Sequence, residues 1–421
     1  MSIKETLEYI HNVKWQSMKP GLERTRALLE ALGNPHKLLK FAHVAGTNGK
    51  GSTASCIAAV LQKAGYKTGL YTSPYILRFN ERMQVDGEQI SDDDLVKMTD
   101  EIRPFADAMT DVPTEFELIT ALAMKYFLYK EVDIVVLEVG MGGELDSTNV
   151  IDVPEVGVIT SIGMDHVVEL GPTIQDIARA KAGIIKEGED LVIYGDDPDV
   201  EPVFEEISAQ KNANMRKADF SRIKKQEQTL DGIKLIIAPY PEVLLPLNGA
   251  YQPKNATLAV SALEILREKG YKITEQNIVD GLNSVKWPGR FEILGRDPVF
   301  ILDGAHNPQG VSATAQSLKN LFGDKKIIFV VAVMADKDVD TMIKFIAPLA
   351  QQFIAVRPNY PRAMKVDVLA EKLTHYGVPV TAGESVKQGV DYALAQAGKD
   401  GVVCALGSLY FSGDVREAYF G

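Results

Sequence analysis

Cysteine is scarce in this chain: 2 residues, Cys56 and Cys404, among 421. That excludes a disulfide scaffold, and a chain of this length buries cores large enough to need none. The scarcity suits a reducing compartment. Long apolar runs are also lacking. None reaches the ~18–20 residues that cross a bilayer, and the longest, residues 327–335, predicts a buried strand. The first residues, MSIKETLEYIHNV, carry charge throughout and lack the apolar centre of a secretion signal, so a cytoplasmic protein without membrane partners is expected. Positive charge is in deficit, 45 Lys and Arg against 57 Asp and Glu, a net −12. A dedicated nucleic-acid binder shows the opposite balance, so no nucleic-acid partner is expected. An anionic small molecule stays compatible, because a local cluster of Lys and Arg can oppose the global sign.

What is present is an alternation of apolar runs with helical periods, which argues for an α/β architecture with mainly parallel sheets. Strands are expected at residues 39–44, 67–71, 133–139, 155–159 and 190–194, with helices at 50–64, 117–129 and 174–185 between them. From about 215 to 247 short alternating runs and the turn Asp231-Gly232 predict a small antiparallel patch. Helices are expected again at 252–269 and 274–285. Trp287-Pro288-Gly289-Arg290 punctuates the chain, and a second alternation follows, with strands at 299–303, 327–333, 353–356 and 402–406. This predicts two α/β domains, residues 1–295 and 296–421, and a ligand cleft by default where such domains meet.

The strongest local signal is Gly46-Thr47-Asn48-Gly49-Lys50-Gly51-Ser52-Thr53, placed after an apolar strand and opening a helix. Glycines let backbone N–H groups close around a phosphate, and the helix N-terminus favours the anion. Lys50 would reach the terminal phosphates, and Ser52 or Thr53 would hold Mg²⁺. The usual pattern has Ser or Thr directly after the lysine, where this chain has Gly51. A metal-supporting carboxylate is expected at the end of a neighbouring strand. Glu138, closing an apolar run and followed by Gly140, Gly142 and Gly143, meets that expectation.

Eight blocks in order carry a closer likeness: Gly46–Ser52, Tyr71-Thr-Ser-Pro74, Glu138-Val-Gly-Met-Gly-Gly143, Asp146-Ser-Thr-Asn149, Asp165-His166, Lys181-Ala-Gly-Ile184, Asp303-Gly-Ala-His-Asn-Pro308 and Gly407-Ser-Leu-Tyr410. Together they resemble folylpolyglutamate synthase, with the related dihydrofolate synthase, in the Mur-ligase superfamily. The resemblance implies a P-loop, Mur-ligase-like nucleotide domain followed by a smaller doubly wound, Rossmann-like α/β domain that ligates glutamate. It implies an ATP-dependent amide ligase joining L-glutamate to the γ-carboxylate of a reduced folate, or to dihydropteroate, or both, and acting as a monomer. By the same resemblance Gly46, Thr47, Asn48, Gly49, Lys50, Gly51, Ser52, Thr53, Asn255, Arg290 and Asp303 bind ATP. Ser52, Ser73, Glu138, His166 and Lys181 serve Mg²⁺ at two sites. Lys181 does so as a carbamate, since a bare ammonium would repel the metal. Lys50, Lys181, His166, Arg290, Asp303 and His306 are the catalytic set; Tyr75, Asn80 and Arg82 face the folate, Ser408 and Tyr410 the glutamate. Tyr75 and Tyr251 stand where the family often has His, and Ala180 where it often has Glu.

The chemistry explains such a set. A carboxylate is a poor acyl donor until phosphorylated, and the acyl phosphate must then be kept from water while an amine attacks. The alternative from another class is a non-catalytic nucleotide-binding regulatory module, in which Arg290, His166 and Lys181 would have no task.

Overall fold

The computed structural model describes residues 1–12 and 21–421. They form two compact units. The first comprises Met1–Ile223, Ile237–Pro241 and Lys254–Val285; the second comprises Lys224–Ile236, Glu242–Pro253 and Lys286–Gly421.

An eight-stranded sheet of order β4-β3-β2-β5-β1-β6-β7-β8 centres the first unit. Its strands are β1 (Phe41–Ala45), β2 (Thr68–Tyr71), β3 (Met83–Val85), β4 (Glu88–Gln89), β5 (Ile134–Glu138), β6 (Val156–Ile159), β7 (Asp190–Ile193) and β8 (Asn214–Lys217). The pairs from β2 through β8 are parallel, whereas β3 and β4 form an antiparallel edge. The central strands β1, β5 and β6 are buried at every position. That is why they read as unbroken apolar runs: helices cover a parallel sheet on both faces. The helix Lys50–Lys63 follows β1 and is buried along most of its length. The helix Glu115–Tyr129 begins with a reciprocal cap between Thr114 and Glu117, two residues ahead of its expected start.

In the second unit, β9 (Ile223–Thr229), β10 (Gly232–Ile237) and β11 (Val243–Leu245) make a three-stranded sheet of order β11-β10-β9, with β10 and β11 antiparallel. Its main sheet runs β12-β13-β17-β14-β15-β16. The strands are β12 (Glu292–Arg296), β13 (Val299–Asp303), β14 (Ile327–Val331), β15 (Ala350–Ala355), β16 (Val380–Ala382) and β17 (Val402–Leu406). All pairs are parallel except β12 with β13. Alternate residues feed opposite cores, Ile301, Phe329 and Cys404 on one face and Phe300, Val330 and Val403 on the other. The doubly wound expectation is met.

The boundary differs from the one read at residue 295. β12 pairs with β13 from Glu292↔Leu302 to Arg296↔Val299, which draws the chain from Lys286 onward into the second unit. The antiparallel patch also groups there, while residues 214–217 join the large parallel sheet as β8. Among the described residues no helix is long and apolar enough to cross a membrane.

The helix Glu275–Ser284 packs on Lys50–Lys63 through Gly281. A Cβ there would lie 2.4 Å from Val60 Cγ2 and 2.6 Å from Val60 Cα. Gly281→Ala is therefore expected to destabilise the fold by about 1–3 kcal/mol through overpacking. Urea denaturation measures it, and an unchanged midpoint would show that the two helices part without cost.

Candidate functional site

The loop after β1 approaches its neighbours more closely than a side chain would permit. Gly46 has φ 142° and Gly49 φ 91°. A Cβ on Gly46 would fall 1.8 Å from Thr160 Oγ1, and one on Gly49 would fall 2.6 Å from Asn255 Oδ1. Both glycines are thus required by conformation and by space. The Thr47 and Asn48 amides donate to Ser161 O at 2.9 and 3.3 Å, and Thr47 Oγ1 donates to Gly163 O at 3.1 Å. These bonds brace the loop from β6. The first-turn amides from Lys50 to Ser52 have no carbonyl behind them within the helix, and they are the anion-binding end. Lys50 Nζ donates to Thr47 O at 3.2 Å; Ser52 and Thr53 are buried, and the Thr53 hydroxyl has no hydrogen-bond partner.

Strand order brings the other expected groups to this loop. Glu138 ends β5 in register with Val44, two residues before Gly46. It is buried and accepts the Ser73 amide at 3.1 Å, because β2 lies on the other side of β5. Lys181, on the helix Ile174–Ala182, is 4% exposed and donates from Nζ to Gly46 O at 2.7 Å. A Cβ on Gly143 would sit 2.7 Å from both Ala180 O and Lys181 O, so the glycine loop after β5 presses directly on the backbone that presents the lysine. Desolvation pushes the Lys181 amine down to about 7; the Lys50 charge adds to this, and Asp165 and Asp146 oppose it. His166 follows with φ 51°, a left-handed conformation that a non-glycine residue holds only under constraint.

Asn255 meets the phosphate loop itself at Gly49. In the segment after Ser73, Arg82 lies with Cζ 5.1 Å from the Tyr75 ring and 5.8 Å from the Phe79 ring. Its Nε and Nη1 are buried and have no hydrogen-bond partner. A guanidinium with buried, unpaired N–H groups is a strong hydrogen-bond donor to a carboxylate. Asn80 is placed differently from expectation. Its amide nitrogen donates to Ile90 O at 2.7 Å and Asp92 Oδ1 at 2.9 Å, which makes it a brace of this segment.

In the second unit β13 and β17 pair with Asp303 opposite Leu406, so the loops after them emerge side by side at the carboxyl end of the sheet. Asp303 is buried, accepts Thr314 Oγ1 at 2.5 Å and the Ala305 amide at 3.3 Å, and is raised by desolvation against the opposing charge of Arg290. His306 Nδ1 lies 2.9 Å from Gly304 O. Ser408 caps the helix Leu409–Phe420, and Tyr410 stacks on Tyr360 with centroids 4.3 Å apart. Arg290, Asp303, His306 and Ser408 therefore belong to one end of one sheet.

Two acids near the phosphate loop were outside the expected site although their motifs were noted. Asp146 is buried, accepts Thr148 Oγ1 at 2.6 Å and the Met141 amide at 2.9 Å, and is raised by desolvation. Behind it His43 Nε2 lies 2.9 Å from Thr148 Oγ1, and burial holds His43 down at about 3. Asp165 is buried and acts on Lys181 through its charge. Each acid opens its own motif, and that was the available signal. Among the described residues no three His, Cys, Asp or Glu side chains cluster as a metal cage. The oxygens of Ser73, Glu138 and the Ser52–Thr53 turn nevertheless suit Mg²⁺, a hard ion that takes few protein ligands when phosphates supply the rest.

Comparison with known proteins gives the family. Residues 44–263 match the Mur ligase middle domain and residues 289–409 the Mur ligase glutamate ligase domain. The chain is 36% identical to a dihydrofolate synthase/folylpolyglutamate synthase of Bacillus subtilis, over 98% of each chain. It is likewise 36% identical to a folylpolyglutamate synthase of Lacticaseibacillus casei, over 100% of this chain and 99% of that one. The structure of a Mycobacterium tuberculosis folylpolyglutamate synthase complexed with ADP superposes with a TM-score of 0.92 at 30% identity, covering 99% of this chain and 98% of that one. An Escherichia coli FolC structure in complex with DHPP and ADP gives a TM-score of 0.87 at 30% identity, covering 99% and 97%.

The depressed Lys181 amine carries a stability consequence. Between about 7 and its ordinary 10.5 the unfolded chain binds a proton that the folded chain lacks, so stability rises with pH across that window. Below about 7 the burial penalty acts in full. Lys181→Met removes the penalty, and its thermal midpoint is expected to exceed that of the native chain near pH 7, with the advantage shrinking towards pH 10. An advantage independent of pH would show that the amine remains charged in the fold.

Proposed function

The chain belongs to the folylpolyglutamate synthase and dihydrofolate synthase family of Mur ligases, and from that premise we propose that it joins L-glutamate to a folate-type carboxylate at the expense of ATP. It is an ATP-dependent ligase. In the reaction a carboxylate oxygen bonds to the γ-phosphorus of ATP while the bond to ADP breaks. The amine of L-glutamate then attacks the acyl carbon, phosphate leaves with the bonding pair, and the amine gives up a proton.

The loop Gly46–Thr53 and Lys50 hold the phosphates. Arg290 neutralises charge on the group in transfer, and Asp303 holds the turn that carries it. Arg82 receives a carboxylate of the folate acceptor, and Tyr75 offers a ring for its aromatic part. Ser408 and Tyr410 stand at the glutamate end, and His306 lies in the adjoining loop. Mg²⁺, held by Ser73, Glu138, His166 and the Ser52–Thr53 turn, would draw charge from the phosphate oxygens. The observation that carries the reading is Lys181 Nζ, buried and 2.7 Å from Gly46 O beside Lys50. A module that only binds nucleotide needs one loop lysine, not a second with a depressed amine. That amine is largely neutral above about pH 7 and can therefore attack CO₂ to form the carbamate. The enzyme is proposed to act as a cytoplasmic monomer.

Dihydropteroate is the second acceptor proposed for the same site, because the Bacillus subtilis relative is named for both activities. Assays offering tetrahydrofolate and dihydropteroate separately, with ATP and with or without L-glutamate, test the proposal. Phosphate release is expected to require an acceptor and glutamate together; release indifferent to both would overturn it. Lys181→Ala should lose activity by about 100-fold, in the range of an electrostatic catalytic group. Lys181→Glu should recover part of it. ¹³C-bicarbonate should give a carbamate resonance in the native chain and none in Lys181→Ala; a signal in both would remove Lys181 from this role.

A further inference from the structure

Arg290 occupies a turn that would not keep its shape unaided. The residues on either side of it, Gly289 and Phe291, both have left-handed φ, 68° and 45°. A residue with a β-carbon holds that conformation only where its surroundings impose it. One constraint comes from the loop after β13, which holds both neighbours of Arg290. Gly304 N donates to Gly289 O at 2.8 Å, Asp303 accepts the Phe291 amide, and the Phe291 ring is buried in the core beneath the sheet. A second constraint comes from the Glu292 carboxylate. Glu292 Oε2 accepts the Gly289 amide at 2.9 Å, and Glu292 Oε1 accepts Arg416 Nη1.

Arg416 lies on the helix Leu409–Phe420, whose first turn presents Ser408 and Tyr410. Its guanidinium also rests over the Phe420 ring, 5.5 Å from the centroid. The two side chains are 20% and 25% exposed. An ion pair so screened from water is a poor source of net stability, because desolvation offsets attraction, but it fixes geometry well. With one oxygen on a peptide N–H and the other on a guanidinium, the Glu292 carboxylate cannot rotate without losing a bond.

We propose that Glu292 and Arg416 are positioning residues for Arg290, coupling the turn that aims it to the helix that presents Ser408 and Tyr410. The inference rests on the reading above that Arg290 meets the phosphates. Neither Glu292 nor Arg416 touches substrate; each acts through the arginine.

A double-mutant cycle tests this. Glu292→Ala and Arg416→Ala are each expected to lower kcat by about 10- to 100-fold, the usual consequence of misplacing a catalytic group by an ångström. KM for L-glutamate should stay within about twofold, since the first turn that presents Ser408 and Tyr410 is fixed by its own Ser408 cap and not by Glu292. In an Arg290→Ala background, removing Glu292 should cost less than about a further twofold, because the two changes remove one interaction. Glu292→Gln keeps the size and one acceptor oxygen, so it guards against a variant that fails to fold and should fall between native and Glu292→Ala. Arg416→Lys should likewise recover part of the loss. Equal fold losses with and without Arg290, or no loss where Arg290 is present, would overturn the proposal. The same cycle read as the Kd for ATP by calorimetry does not depend on turnover. An inactive native chain would defeat the ligase reading, while non-additive weakening of ATP binding would still support the positioning pair and additive weakening would still reject it.

Discussion

The constraint on which the nucleotide-binding unit depends is the close approach of backbone at Gly46. Thr160 presses on it from β6, and Lys181 Nζ donates to its carbonyl. A side chain at Gly46 would collide with Thr160, move the loop off β6 and break the contact that holds Lys181. Gly143 repeats the device one layer out, where the absence of a Cβ lets the loop after β5 lie on the backbone of Ala180 and Lys181. Segments distant in sequence therefore meet at glycines, where a side chain would force them apart. The lysine is buried as a result, and burial gives it the lowered proton affinity that the proposed modification needs.

Charge follows a related logic. The chain carries a net −12, yet the residues placed around the phosphate loop include Lys50 and Lys181, and the segment after Ser73 contributes Arg82, whose Nε and Nη1 are buried. The acids nearby are buried and committed: Glu138 to the Ser73 amide, Asp146 to Thr148 and the Met141 amide. The surface charge governs solubility, and the site is set by a few desolvated groups whose fields are not screened by water.

Much of this was legible in the sequence. Strands buried on both faces announce themselves as continuous apolar runs, so β1, β5, β6, β13, β14 and β17 were readable to within a few residues. The short strands at or next to the sheet edges, β3, β4, β12 and β16, were not. Met83–Val85, Glu88–Gln89 and Glu292–Arg296 carry ordinary mixed residues, and their strand conformation comes from the neighbour they pair with. The same cause moved the boundary between units, since Glu292–Arg296 reads as linker until β13 is beside it. Asn80 shows the limit for side chains. Its motif suggested a substrate contact, but its donors face Ile90 O and Asp92, groups ten and twelve residues on.

The sequence by itself determined the phosphate loop, the strand-end carboxylate, the two-unit α/β plan and the family, because each is a local pattern whose meaning lies in spacing and residue type. Tertiary structure decided which of those residues meet and in what electrical state. Lys181 on Gly46, Arg82 against Tyr75 and Phe79, and the Glu292–Arg416 clamp on the Arg290 turn join segments up to 135 positions apart. Desolvation and close approach are properties of the packed neighbourhood, and a linear pattern does not contain them.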